Sequence, residues 1–338
     1  MKALFIGGTG TISTAISKLA VEKGWELYLL NRGNNVSNVP EGAKVLTADI
    51  NDELLVTQLI KDMKFDVVTD FIAFKPSQIQ RDIRLFSGKT RQFICISSAS
   101  AYQKPLSYYK ITESTPLSNP YWQYSRDKIA CEERLMEEYR KNNFPVTIIR
   151  PSHTYGESSL PLAVQGKNGP WQVIDRIIKG KPVIIQGDGT SLWTVTHNSD
   201  FAKAFLGIMG NHAAIGEAIH ITSDEAITWN NIYDCIGEAL NIEVKKIHIA
   251  TDFLVKCQAD YEGGLIGDKA NSVVFDNSKI KRLVPGFVAT VRFDQGVKQS
   301  IKYILSHPEL QIVDEEFDIF CDKIIDAEME ALKYYKNM

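Results

Sequence analysis

The chain has little of what builds metal or disulfide scaffolds. Its five cysteines, Cys95, Cys131, Cys235, Cys257 and Cys321, are scattered without a CxxC pair, so neither a disulfide framework nor a zinc knuckle is indicated and the thiols read as reduced. A long apolar run is missing as well. The opening stretch MKALFIGGTG meets glycines too soon to form the core of a signal peptide or a membrane span. Nor is there a block of basic residues: 38 Lys+Arg stand against 41 Asp+Glu, a formal net charge of −3, which disfavours nucleic acid as a partner. No internal repeat or low-complexity tract is visible. These absences leave a cytoplasmic, globular protein with a small-molecule substrate as the expectation. At 338 residues, 44% of them hydrophobic, the chain can bury a sizeable core and form two domains.

What is present is an alternation of short apolar strands and amphipathic helices. KALFI (2–6) runs into a glycine turn, and the following TISTAISKLAVEKG carries Ile12, Ile16, Leu19 and Ala20 at helical spacing. Strands follow in WELYLL (25–30) and KVLTA (44–48), then a helix in ELLVTQLIKDM and an apolar strand in FDVVTDFIAF (65–74). A helix near 77–87, a strand in QFICISS (92–98), a long amphipathic helix over 122–141 and a buried strand in PVTIIRP (145–151) complete the series. Near-continuous apolar strands separated by helices are what a parallel sheet covered on both faces requires. The expected architecture is α/β, a Rossmann-type doubly wound parallel sheet with a smaller, C-terminal-weighted α/β domain. The expected boundaries are 1–155 for the first domain, with 186–225 returning to it, and 156–185 with 226–338 for the second.

Gly7-Gly8-Thr9-Gly10-Thr11-Ile12-Ser13 lies directly between the first strand and the first helix. In that context glycines let the backbone turn tightly against a pyrophosphate, whose charge meets the N–H groups and dipole of the helix N-terminus. Gly7 and Gly10 fill those places, with Thr9, Thr11 and Ile12 beside them as further cofactor-binding positions. Ser13 stands where the pattern wants a third glycine. The other reading is a plain structural turn. After the second strand come Asn31 and Arg32 instead of the acidic residue that holds the adenosine ribose of NAD. A 2′-phosphate then meets no repulsion, and Arg32 can pair with it or stack on the adenine, so NADP is favoured slightly over NAD. Arg32 also reads as a solvated loop residue.

Tyr124 and Lys128 stand four apart on a helix, so both emerge on one face. That spacing alone is expected about once by chance in this composition. Taken in order, however, GGTGTIS, ISSASAY and YSRDK resemble the extended short-chain dehydrogenase/reductase family, of NAD(P)-dependent epimerase/dehydratase type. RPSHTYG, GDGTSLWTVTHNSDFAKAF and FDQGVKQSIKYI extend the resemblance over nearly the whole chain.

The resemblance implies a catalytic set of Ser98, Tyr124 and Lys128. Tyr124 is the general acid/base, Lys128 binds the nicotinamide ribose and lowers the tyrosine pKa, and Ser98 hydrogen-bonds the reacting oxygen. It also implies cofactor contacts at Asp49, Ile50, Ala73 and Pro151; the other reading of Asp49 is an acid ahead of a helix. Relatives that dehydrate nucleotide sugars carry Asp-Glu where this chain has Ala99-Ser100, which argues against a 4,6-dehydratase. Trp193 stands where sugar-nucleotide enzymes carry an arginine, and His153 where many relatives have a substrate-contacting asparagine; both are candidate substrate contacts. His153 is equally a strand-end histidine, and Ser97 and His197 read as structural. A homodimer is the family-level expectation, with Ile129, Leu135 and Met136 on the long helix as a candidate stripe that core packing explains as well. The function implied is an oxidoreductase or epimerase acting on a hydroxyl or carbonyl of a sugar-like or other small polar molecule. The alternative is a non-catalytic cofactor sensor or RNA-associated scaffold on the same fold.

Overall fold

The computed structural model describes residues 1–34 and 36–338, which cluster into two compact units. The first comprises Met1–Thr154, Thr196–Asp224 and Phe275–Thr290; the second comprises Tyr155–Val195, Glu225–Val274 and Val291–Met338.

The first unit is built on seven parallel strands: β1 (Lys2–Ile6), β2 (Glu26–Asn31), β3 (Lys44–Thr47), β4 (Val67–Asp70), β5 (Phe93–Ile96), β6 (Val146–Pro151) and β7 (Ala218–Ile221). Their order across the sheet is β7-β6-β5-β4-β1-β2-β3. The direction of winding reverses between β1 and β4, and a crevice opens at such a switch point at the carboxyl ends of the strands. Alternation along β1 explains why both faces are covered. Ala3 and Phe5 join one core with helices α1 (Thr11–Glu22) and α5 (Asn198–Ile208), while Leu4 and Ile6 join another with α3 (Pro76–Phe86) and α4 (Gln123–Asn142).

Local chemistry sets the ends of these elements. Asp52 caps α2 (Glu53–Leu59) by accepting from the Leu55 N–H at 3.1 Å. Pro76 opens α3, and α4 ends at Asn143 in the left-handed region at φ 55°. The apolar run 65–74 becomes a strand only as far as Asp70. There the carboxylate accepts from the N–H groups of Ile72 (2.6 Å) and Ala73 (2.8 Å), turning the chain out of the sheet in an Asx turn. On α4, Leu135 is fully buried and Met136 packs against the same core, while Ile129 is half-buried.

The division of the chain differs from the sequence expectation at two segments. Residues 186–195 cluster with the second unit, and 275–290 with the first. The latter segment carries a short helix, Ser278–Leu283, and delivers Ile280 and Phe287 to the α1/α5 core. Six helical residues are too few to display a period in sequence. In the second unit Val183–Gln186 pairs parallel with Lys246–Ile249, and Leu192–Thr194 pairs antiparallel with Ala226–Thr228. Among the described residues no helix is long and apolar enough to cross a membrane.

One ion pair ties three elements of the first unit together. Arg150 at the end of β6 forks onto Glu132 of α4, with Nη2–Oε2 at 2.5 Å and Nε–Oε1 at 3.0 Å, and both side chains are about 95% buried, at 5% and 4% exposure. Ser97, just past β5, donates to the same carboxylate. Removing one member leaves a buried unpaired charge, which costs about 3–5 kcal/mol. Glu132→Ala is expected to lose stability of that order in urea unfolding, and a loss below about 1 kcal/mol would show the pair to be dispensable.

Candidate functional site

The crevice at the switch point is a cavity of about 610 Å³. Gly7, Thr9, Gly10, Thr11 and Ile12 line it from the first turn, Asn31 and Arg32 from the end of β2, and Asp49 and Ile50 from the loop after β3. Gly7 adopts φ +96°, and a Cβ there would press on Ile72 Cγ2 at 3.2 Å. Gly8 is held more tightly still: at φ +91° its Cβ would meet Leu29 Cδ2 at 2.7 Å. Both positions therefore require glycine. Thr14 N–H to the Gly10 carbonyl, 2.9 Å, is the first helical hydrogen bond of α1, so the amides of Thr11, Ile12 and Ser13 precede the ladder and are the natural donors to an anion. Ser13 does more than fit in place of a glycine. Its Oγ accepts from the Gly10 N–H at 2.9 Å, capping the helix from within. The donor set, the close backbone and the cavity suit the diphosphate end of a dinucleotide.

At the other end of the cavity Arg32 is exposed, and Asn31 Oδ1 accepts from the Gly33 N–H at 2.9 Å, holding the turn after β2. Asp49 is exposed and accepts from the backbone and side-chain N–H groups of Asn51, each at 2.9 Å. The helix cap that its position suggested falls to Asp52 instead. A residue absent from the sequence reasoning also lines this wall. Arg81 is 4% exposed and donates to Asn51 Oδ1 (2.9 Å), Asp70 Oδ2 (3.1 Å) and Asp82 Oδ1 (2.7 Å). The signal available in sequence was Asp70, a carboxylate inside an apolar strand, which demands a buried cation. Burial beside that second carboxylate pushes the Asp82 carboxyl well above its ordinary range.

Lys128 is the centre of the arrangement. It is 2% exposed, and its Nζ donates to the Ala73 and Ile96 carbonyls, each at 2.7 Å. An ammonium has three hydrogens, so one remains for a ligand. The ammonium also lies 5.8 Å from the Tyr124 ring centroid and 4.5 Å from that of Phe74. Burial lowers its pKa below the ordinary lysine value. Ser98 is half-buried at the end of β5 and meets Ser100 Oγ at 2.9 Å; Ser100 meets Ser125, the neighbour of Tyr124, at 2.8 Å. Within the first unit the hydroxyl contacts run from Ser98 to Ser125, the chain neighbour of Tyr124, and the Lys128 ammonium meets the Tyr124 ring. Ala73 takes part through its carbonyl.

Residues 3–222 match the NAD dependent epimerase/dehydratase family. The chain belongs to this family. It is 22% identical to the 2′-dehydrokanamycin reductase of Streptomyces kanamyceticus over 85% of this chain and 80% of that protein. It is 24% identical to the chloroplast stem-loop binding protein of 41 kDa b of Arabidopsis thaliana over 70% and 63% of the two. In three dimensions it matches an epimerase of Methanothermobacter thermautotrophicus with a TM-score of 0.75 at 18% identity, covering 92% of this chain and 94% of the other. The resemblance read from GGTGTIS, ISSASAY and YSRDK and the expected Rossmann-type sheet are both borne out.

The remaining positions that sequence singled out in this epimerase/dehydratase family member fall elsewhere. Pro151 ends β6, buried and in register with Ile221 of β7. His153 is half-buried on the next short strand, His153–Tyr155. His197 caps α5, accepting from the Ser199 N–H, and so has a structural occupation. Trp193 is 3% exposed in the second unit, its ring 5.1 Å from that of Trp229. Among the described residues no His, Cys, Asp and Glu cluster is placed to hold a metal ion.

The lowered Lys128 pKa has a direct signature. With the charged form disfavoured by burial, the ammonium loses its proton at lower pH than a lysine near 10.4. Lysine-selective NMR titration should find one Cε resonance, absent in Lys128→Arg, that titrates ahead of the others. Co-titration with the surface lysines would refute it.

Proposed function

We propose that the protein is an NADP-preferring oxidoreductase that works in the reductive direction on a carbonyl of a sugar-like or other small polar molecule. The observation that carries this reading is Lys128, a buried ammonium held by two carbonyls beneath the Tyr124 ring with one donor left over. In this reading that donor takes the nicotinamide ribose. The positive charge favours the tyrosine phenolate, so Tyr124 can exchange a proton with the substrate oxygen near neutral pH. Ser98 holds the same oxygen. When bound, the dinucleotide supplies or accepts the hydride. Thr11, Ile12 and Ser13 amides hold its diphosphate, Asp49 and Ile50 meet the adenine, and Ala73 and Pro151 border the nicotinamide end.

The NADP preference rests on Arg32, which lines the cavity where no carboxylate follows β2. The reductive direction agrees with the name of the Streptomyces kanamyceticus relative, a reductase. Ala99 and Ser100, where an acid pair would be needed, argue against elimination of water. A non-catalytic role has one observation in its favour, the name of the Arabidopsis relative. The net charge of −3 and the intact Ser98, Tyr124 and Lys128 weigh against it.

Titration of NAD, NADH, NADP and NADPH into wild type and Arg32→Ala tests the cofactor. NADPH should bind tightest, and Arg32→Ala should weaken it about tenfold or more while leaving NADH unchanged, the value of one charge-assisted contact. Binding of none of the four would sink the reading. Tyr124→Phe should lower turnover in a carbonyl-compound screen by about 10²-fold or more with cofactor affinity intact. A scaffold would be indifferent.

A further inference from the structure

Ser98, Ser100 and Ser125 form a file of hydroxyls that begins on a donor of fixed orientation. Each O···O contact in the file is symmetric on its own, because a hydroxyl both donates and accepts. The loop before α4 breaks the symmetry. Asn119 is 2% exposed; its Nδ2 donates to the Ser100 carbonyl at 2.9 Å, and its Oδ1 accepts from the Tyr121 N–H at 3.2 Å. A backbone carbonyl can only accept and a backbone N–H can only donate, so the amide cannot be flipped.

The second Nδ2 hydrogen reaches Ser125 Oγ at 3.3 Å. Ser125 accepts there, and its own proton goes to its other partner, Ser100 Oγ at 2.8 Å. Ser100, accepting from Ser125, sends its proton on to Ser98 Oγ at 2.9 Å. Ser98 Oγ also accepts the Ser100 N–H at 3.1 Å. Both partners of Ser98 within the network therefore donate to it, and its own proton has to point away from them.

We infer that Asn119, Ser125 and Ser100 are positioning residues that fix Ser98 as a hydrogen-bond donor toward the substrate oxygen. This rests on the reading of Ser98 as the substrate-facing hydroxyl. A donor set in advance opposite an oxygen that gains negative charge costs no reorientation as the charge develops. A free serine rotor would spend part of its time offering a lone pair instead. The chain also explains why a buried serine follows Tyr124 on α4: Ser125 is fully buried, and its hydroxyl does nothing else among the described residues. An acidic side chain at position 100 would accept from Ser98 and reverse the last link.

Neutron diffraction from crystals exchanged into heavy water reads the direction without any substrate. Deuterium on Ser125 Oγ should lie toward Ser100, that on Ser100 Oγ toward Ser98, and that on Ser98 Oγ away from Ser100. Deuterium on Ser98 directed at Ser100 Oγ would overturn the inference, whatever the enzyme turns over. On a carbonyl compound reduced by wild type, Ser100→Ala should lower kcat about tenfold, a fraction of the roughly 10²–10³ cost of losing such a donor outright. KM and cofactor affinity should hold, and Ser100→Thr, which keeps the hydroxyl, should restore kcat. Equal loss in both variants would assign Ser100 a packing role and refute the positioning role. Failure of the oxidoreductase reading is seen separately, as absent cofactor binding with the deuterium pattern intact.

Discussion

A positive charge buried where the sheet ends is the constraint around which the first unit is arranged. Lys128 cannot stay charged in an apolar interior without acceptors, and the two that it has come from different strands' ends: the Ile96 carbonyl closes β5, and the Ala73 carbonyl belongs to the turn after β4. For the second to be in reach, the chain must leave the sheet at Asp70. The Asp70 carboxylate arranges this by taking two backbone N–H groups, and Arg81 balances that carboxylate from α3. A turn, an ion pair and a strand end are thus all fixed by one ammonium.

The same economy appears one turn further along the same face of α4. Lys128 and Glu132 are one helical turn apart, and Glu132 is clamped by Arg150 of β6 while accepting from Ser97. The helix that carries the tyrosine and lysine is therefore pinned to β5, β6 and the loop after β4 by polar contacts that tolerate little sliding. Such contacts contribute little net stability compared with an apolar core, but they do specify one register between α4 and the sheet. The proposed placing of a phenol and a hydroxyl on one substrate atom would demand that register.

Much of this was legible in the sequence, for reasons that differ by element. Strand, glycine turn and helix at the N-terminus are local, and so is the four-residue spacing of Tyr124 and Lys128; both follow from period and context. Arg81 and the 275–290 segment were not legible because partners of each lie far along the chain: Arg81 meets Asn51 thirty residues away, and Ile280 and Phe287 join the α1/α5 core. Asn119 has a partner only six residues on, Ser125, but the contact depends on the irregular loop before α4, which has no period to read. Trp193 shows the converse case: its packing against Trp229 depends on a partner 36 residues further along the chain that only the fold brings beside it. The strand drawn through 65–74 was too long because hydrophobicity continues past Asp70 while the backbone does not.

Ser13 gives the first helix an independence from its ligand. A glycine at that position would leave the Gly10 amide bare whenever no anion is near, and the first turn would fray. The serine hydroxyl supplies the missing acceptor, so the empty protein keeps a finished helix end and a diphosphate arrives at, and leaves from, a surface already in its final shape.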